Sequence, residues 1–176
     1  MTMLSKNLML RTDRLVLRPF EESDLENALS IFYNEEVRQT YMLPDFPTRE
    51  KAIELFRRIQ AISLNPDRID YAIDLRGQLI GFINDCGIEG DTVELGYVIH
   101  PDHKGQGFAT EALAAVIAEL FRMGFACVLA AHFEENPASG RVMQKCGMHR
   151  IEKEETIEYR GCVHRCLYYE IKNNAN

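Results

Sequence analysis

A chain of 176 residues has the length of one domain and can bury well over half of its unfolded surface, so it needs neither disulfides nor a metal to fold. Hydrophobic residues at 46% and charged residues at 27% give a soluble globular profile, and no apolar run approaches the roughly 18 residues of a membrane span. The net charge of -7 repels nucleic-acid phosphates; it suits a cationic partner such as an amine, although the same balance serves solubility alone. The opening stretch MTMLSKNLMLRTDRL has no sustained apolar core and no small-residue cleavage site, so it does not read as a signal peptide. Five cysteines without paired spacing predict reduced thiols in a cytoplasmic protein.

Along the chain, RLVLRPF alternates Leu15 and Leu17 with Arg14, Val16 and Arg18 and predicts a strand that Pro19 stops. Ser23 is placed to cap the next helix, with Glu26 completing a capping box and Leu25, Ala28, Leu29 and Phe32 at helical spacing. After the break at PDFPT, Thr48 caps a second helix that carries Ile53, Phe56, Ile59 and Ala61 toward Asn65-Pro66. YAIDL and QLIGFINDCGI flank Arg76-Gly77 as a hairpin, and TVELGYVI is a third strand. From Phe108, the residues Ala112, Leu113, Val116, Ile117 and Leu120 trace one helix face up to Gly124. ACVLAAHF reads as a buried strand, and NPASGRVMQKCGM as a short helix capped by Asn136, opened by Pro137 and ended by Gly147. HRIEKEETIEY and CVHRCLYYEIK close the chain as a hairpin turning at Arg160-Gly161, with strand edges that could pair two copies into a homodimer. The order predicts an α+β fold, one sheet with helices packed on it, in a single domain over residues 1–176 rather than a doubly wound nucleotide domain.

The segment Lys104-Gly105-Gln106-Gly107-Phe108-Ala109 joins a strand end to a helix start. Free N–H groups and the positive end of the macrodipole lie there, and glycines would let an anion approach them. A P-loop would continue into Gly-Lys-Ser/Thr, yet Phe108-Ala109 follow Gly107; the dinucleotide fingerprint needs a small residue where Thr110 stands. On these residues alone, a tight turn into a helix and a phosphate cradle both stay open.

The same segment resembles motif A of the GNAT superfamily of acetyl-CoA-dependent N-acetyltransferases, whose pattern is Arg/Gln-x-x-Gly-x-Gly/Ala, with Lys104 in the first place. ELGYVIHPDHKGQGFATEAL looks like that family's fourth strand, loop and third helix, and NPASGRVMQKCGM resembles its later Asn-x-x-Ser…Lys-x-Gly-Phe signature with Met148 for Phe. RTDRLVLRPFEESD is similar to the opening strand of the RimJ/RimL-like branch, the ribosomal-protein alanine N-acetyltransferases.

The resemblance implies a GNAT-like mixed, mostly antiparallel central sheet with splayed fourth and fifth strands, here 92–99 and 126–133, and helices on both faces. The pantetheine arm of acetyl-CoA would pair with the backbone of Tyr97, Val98 and Ile99. Its pyrophosphate would sit at Lys104 and on the N–H groups of Gly105, Gln106, Gly107, Phe108, Ala109 and Thr110, with Asn136 and Ser139 near the thioester. An amine, a protein N-terminus or a small molecule, would attack the acetyl group in a ternary complex, with an N–H near Val98 or Ile99 facing the oxyanion. Glu158 and Glu94 are the candidates for general base. Ser139 is the candidate acid, because Met143 stands where many members carry a tyrosine. A CoA-binding sensor or scaffold without turnover is the alternative. Cys162, His164 and Cys166 share one strand face, but without a fourth ligand they read as packing and no metal is expected. His100 and His103 read as loop residues, Cys146 as core, and Phe32, Tyr33, Tyr41 and Phe46 fall in the acceptor region. No nucleic acid or membrane is expected as a partner.

Overall fold

Period-two and period-3.6 apolar patterns become strands and helices in nearly the expected places. In the computed structural model, which describes residues 4–174, a short hairpin of β1 (Leu10–Arg11) and β2 (Val16–Arg18) opens the chain. There follow α1 (Leu25–Tyr33), α2 (Glu35–Thr40), α3 (Arg49–Ser63), β3 (Asp70–Leu75), β4 (Gln78–Glu89) and β5 (Thr92–Ile99). Then come α4 (Phe108–Met123), β6 (Cys127–Phe133), α5 (Pro137–Lys145), β7 (His149–Tyr159) and β8 (Cys162–Lys172). Residues 1–3 of the stretch tested above for a signal peptide, and residues 175–176 of the predicted domain, lie outside the described residues.

The strands form one sheet in the order β1-β2-β3-β4-β5-β6-β8-β7, antiparallel everywhere except between β5 and β6. Because successive strand residues face opposite ways, β5 feeds two cores. Val93, Leu95 and Ile99 pack with Phe108, Leu113 and Leu120 of α4, while Val98 packs with Phe32 and Phe56 of α1 and α3. Helices therefore cover both faces, as the family resemblance implies.

Local signals differ from expectation in four places. A 3-10 turn, Glu22–Asp24, precedes α1, and its capping box is formed by Glu21 and Asp24 rather than by Ser23 and Glu26. Helix α2 is an addition to the sequence reading; Asn34 caps it by accepting from the Val37 amide. Ala61 is exposed, and α3 buries Ala52, Phe56 and Ser63 instead. Thr48 and Asn136 hold the cap positions of α3 and α5, but neither makes a side-chain cap bond. Both predicted hairpin turns do form, with φ positive at Arg76 and Gly77 and again at Arg160 and Gly161.

Two buried charge clusters tie the sheet to its helices. Arg18 donates to both carboxylate oxygens of Asp24 at 2.7 and 2.9 Å and to Asp74 at 2.8 and 2.9 Å, all three side chains being buried. Asp70 is buried without such compensation: its Oδ2 has no hydrogen-bond partner, and the Lys6 amine bonds the Asp70 carbonyl rather than its carboxylate. Burial, with the charge of Asp85 second, raises the Asp70 carboxyl to about 6, above its ordinary 3.8. The folded state thus prefers the neutral acid, and the stability this gives is complete below about pH 4 and lost as pH rises through about 6. Asp70→Asn should leave stability at pH 4 unchanged and raise it at pH 8 by on the order of 2–3 kcal/mol, read from urea midpoints at the two pH values. A variant less stable than the parent at pH 8 would contradict this account of Asp70.

Candidate active site

β5 and β6 pair only from Thr92 opposite Cys127 to Leu95 opposite Ala130. Beyond that point Tyr97, Val98 and Ile99 have no partner across the gap, and a cleft of about 540 Å³ opens between the two strands. The splay lies where the family resemblance puts it, although the two-residue β1 makes these strands the fifth and sixth here. Backbone left unpaired inside a sheet is costly unless something else bonds to it, so the gap is a place for an extended ligand.

One end of the cleft is the glycine segment. A 3-10 turn, Pro101–His103, leads into it, with φ of +73° at Gly105 and +83° at Gly107, where α4 begins. A side chain is strained at either position, so both glycines are required by backbone shape as well as by room for an anion. Gly105, Gly107, Phe108, Ala109 and Thr110 line the cleft. Gln106 does not; its carbonyl accepts from the Arg14 guanidinium at 2.8 Å. The Lys104 amine lines the cleft but also pairs with Glu36 on α2.

The segment is held from behind by Arg14, read from sequence only as a strand residue. Its guanidinium pairs with Glu111 at 2.7 Å and lies over the Phe108 ring, 4.4 Å from the centroid. Burial works against the Glu111 carboxylate, but hydrogen bonds from Thr12 and Arg14 outweigh it and hold the group below its ordinary range. Arg14→Ala removes this buttress without touching the cleft. If the cleft holds CoA phosphates, the variant should raise KM for acetyl-CoA about tenfold, equivalent to one lost charge-assisted hydrogen bond, with kcat within about threefold of the parent. An unchanged KM would show that the loop needs no such support.

Two further cations line the cleft. Arg141 and Lys145, one turn apart on α5, have no ion-pair partner among the described residues. Sequence reading passed over them; their i,i+4 spacing in SGRVMQK was the available signal.

In the middle of the cleft, α5 presents Asn136 and Ser139. The Ser139 hydroxyl lies 2.8 Å from the hydroxyl of Tyr97, which reaches across from β5 and also stands 3.0 Å from the Ser139 carbonyl. Met143 is buried in the core. Burial pushes the Cys146 thiol up to about 11, so it is no thiolate.

On the other face of the sheet the cleft is lined by Glu94, Asn84, Cys86, Tyr41, Tyr168 and Ile157. Burial raises the Glu94 carboxyl; the charge of Lys153 opposes this and that of Glu155 adds to it. Cys86 stands at a register shift between Asp85 and Gly87, a bulge that swings it beside Glu94 and Gly96. Burial, with the Glu94 charge second, pushes its thiol up to about 12. Tyr41 donates to Asn84 and packs edge-on against Phe82. Of the other aromatics read near the acceptor, Phe32 and Phe46 stack in the core and Tyr33 is exposed. His103 lines the cleft and His100 accepts from the Asp102 amide.

Glu158 falls elsewhere. It is exposed on β7, and its neighbour Ile157 is the residue that faces the cleft, so strand alternation turns Glu158 to the opposite side. Cys162 is exposed, Cys166 is buried, and His164 stacks on Phe133 with centroids 4.2 Å apart.

A sheet parted over a glycine segment, with a carboxylate on one face and a hydroxyl on the other, is the candidate site of this chain. The chain belongs to the GNAT acetyltransferase family, whose acetyltransferase (GNAT) domain matches residues 14–149, and it is an N-acetyltransferase of that type. It is 32% identical over 146 residues to the uncharacterized N-acetyltransferase YoaA of Bacillus subtilis (strain 168), covering 80% of this chain and 82% of that one. Among solved structures, the GNAT-family acetyltransferase from Bacillus anthracis superposes with a TM-score of 0.80 at 27% identity, covering 93% of this chain and 98% of that one. RimL, the ribosomal L7/L12 alpha-N-protein acetyltransferase solved with coenzyme A, shares the fold with a TM-score of 0.83 at 19% identity over 96% of this chain and 99% of its own. No helix among the described residues is long and apolar enough to cross a membrane.

Proposed function

We propose that this chain moves the acetyl group of acetyl-CoA to a primary amine by direct attack in a ternary complex. The observation that carries the reading is the parting of β5 from β6 after Leu95 and Ala130, with the glycine segment at one end and a half-buried carboxylate, Glu94, at the other. The residues present fit CoA. The backbone of Tyr97, Val98 and Ile99 offers a strand edge for the pantetheine amides. The N–H groups of Gly105 to Thr110 at the start of α4 suit a pyrophosphate, and Lys104, Arg141 and Lys145 supply positive charge. The structure of RimL with coenzyme A gives the same fold a bound CoA in a related protein.

Within this reading Asn136 orients the thioester arm and a β5 amide at Val98 or Ile99 donates to the oxyanion. Glu94 takes the proton of the attacking amine, for which its raised pKa suits it, and Ser139 gives a proton to the departing sulfur. Glu158, turned away from the cleft, has no part in this scheme. The acceptor is a protein N-terminus or a small amine, whose ammonium form would meet the Glu94 carboxylate on that face of the cleft.

The test is release of free CoA thiol from acetyl-CoA across N-terminal peptides and small amines. Turnover with at least one amine is expected. Tight CoA binding by calorimetry without release to any acceptor would overturn the reading in favour of a CoA-binding sensor or scaffold.

A further inference from the structure

We propose that Tyr97 supplies the proton that Ser139 passes to the departing thiolate, so that the charge left on the enzyme comes to rest as phenolate rather than as serine alkoxide. The proposal rests on the acetyl transfer proposed above and adds a residue to it. Sequence reading gave Tyr97 a backbone role only.

The geometry is specific. Tyr97 lies two residues beyond the last β5–β6 pair, on the face of β5 that looks toward α5. Its hydroxyl spans the mouth of the splay to the Ser139 hydroxyl at 2.8 Å, the one side-chain partner of that hydroxyl among the described residues. Both residues line the cleft. A serine that donated its proton unaided would be left as an alkoxide, a far stronger base than the thiolate it had quenched, and among the described residues no cation hydrogen-bonds to Ser139 to hold it. Met143 has no proton to give, and the Cys146 thiol donates to the Thr110 carbonyl rather than to Ser139. A phenol is a much stronger acid than an aliphatic alcohol. Burial, the largest influence on Tyr97, raises its pKa, and the hydrogen bond from Ser139 lowers it in part. The group is therefore fully protonated before the reaction, as a proton donor must be.

The hydroxyl pair has two arrangements. With the phenol donating to the Ser139 carbonyl at 3.0 Å, the serine hydroxyl donates back to the phenol oxygen. With the phenol donating to the serine oxygen, the serine proton is free to face the cleft. In the second arrangement the step balances. The amine nitrogen bonds to the acetyl carbon, the C–S bond breaks with its electron pair on sulfur, the serine proton moves to sulfur and the phenol proton replaces it. The new amide nitrogen gives its extra proton to Glu94. After products leave, the phenolate takes a proton from water and Glu94 returns one to water. Tyr97 acts through Ser139 and is a positioning and proton-supplying residue.

The test combines a double-mutant cycle with a change of phenol acidity. Tyr97→Phe and Ser139→Ala should each lower kcat about tenfold or more, with the affinity for CoA by calorimetry within threefold of the parent, and the double variant should be no slower than the slower single one. Incorporation of 3,5-difluorotyrosine at position 97 keeps the hydrogen bond and makes the phenol more acidic. It should bring into kcat an alkaline limb at a pH where the parent is still flat. Multiplicative losses in the double variant, or a difluorotyrosine enzyme with the parent's pH profile, would overturn the proposal. The parent's own thiol release is read in the same assay. An inactive parent would overturn the reaction and this proposal together, whereas an active parent with fully active Tyr97→Phe would overturn the proposal alone.

Discussion

Glu94→Gln should lower kcat about a hundredfold or more at pH 7 while leaving CoA affinity unchanged. The amide has the shape of the carboxylate but cannot take a proton, and a positioned general base contributes about 10²–10⁴-fold. Affinity should survive because the side chains of Glu94 and Tyr97 project from opposite faces of β5, and the proposed CoA contacts lie on the Tyr97 face and the backbone. The parent's pH profile carries a second mark of the same group. Burial raises the Glu94 carboxyl, so kcat should climb as pH passes through a value above the ordinary carboxylate range and flatten once the base is ionised. Lys153 opposes that rise, so Lys153→Met should move the acid limb to still higher pH. Single-turnover thiol release from pH 4 to 8 measures all three. A Glu94→Gln enzyme as fast as the parent would remove the residue from the chemistry, and a comparable loss in Glu158→Gln would return the role to β7.

The largest loss of stability is expected at Arg18, far from the cleft. Replacing it with Leu leaves Asp24 and Asp74 buried and facing each other with no cation between them. Breaking a buried ion pair from one side costs about 3–5 kcal/mol, a large part of the roughly 5–15 kcal/mol that holds a domain folded. Two elements depend on the site. Asp24 accepts from the Glu21 amide in the capping box ahead of α1, and Asp74 accepts from Gly77 in the β3–β4 turn. The loss belongs to the uncompensated carboxylates more than to the missing guanidinium. Arg18→Met combined with Asp24→Asn and Asp74→Asn should therefore recover most of it in urea unfolding. A single Arg18→Leu variant within 1 kcal/mol of the parent would refute this.

Most of the fold could be read from local patterns because its strands and long helices carry strong apolar periodicity. Helix α2 could not: six residues with Val37 as the sole buried side chain hold no period, and only the Asn34 cap betrays the helix. The cleft was legible where its residues are contiguous, as in GYVIHPDHKGQGFAT and NPAS. It was not legible where tertiary contact decides. Arg14 reaches the glycine segment from the opening hairpin, nearly a hundred residues away in sequence, and Cys86 enters the cleft only because of a bulge. The orientation of Glu158 depends on the register of β7 against β8, which shifts between Arg150 and Glu154. A slip of one residue turns every later side chain to the other face, and no local pattern records it.

The parting of β5 and β6 also bears on how the protein keeps to itself. An unpaired strand edge on a protein surface is a template for a neighbouring chain's strand and a route to aggregation. Here the backbone of residues 96–99, without a partner on the β6 side, borders a cleft that Phe133 of β6 and Ser139 and Val142 of α5 also line, so it is recessed rather than presented on an open edge. The sheet's exposed edge on that side is β7, and it is guarded by a different device: Glu152, Lys153, Glu154, Glu155 and Glu158 crowd it with charge. The unpaired backbone is recessed and the exposed edge is charged, two different devices against edge-to-edge strand pairing.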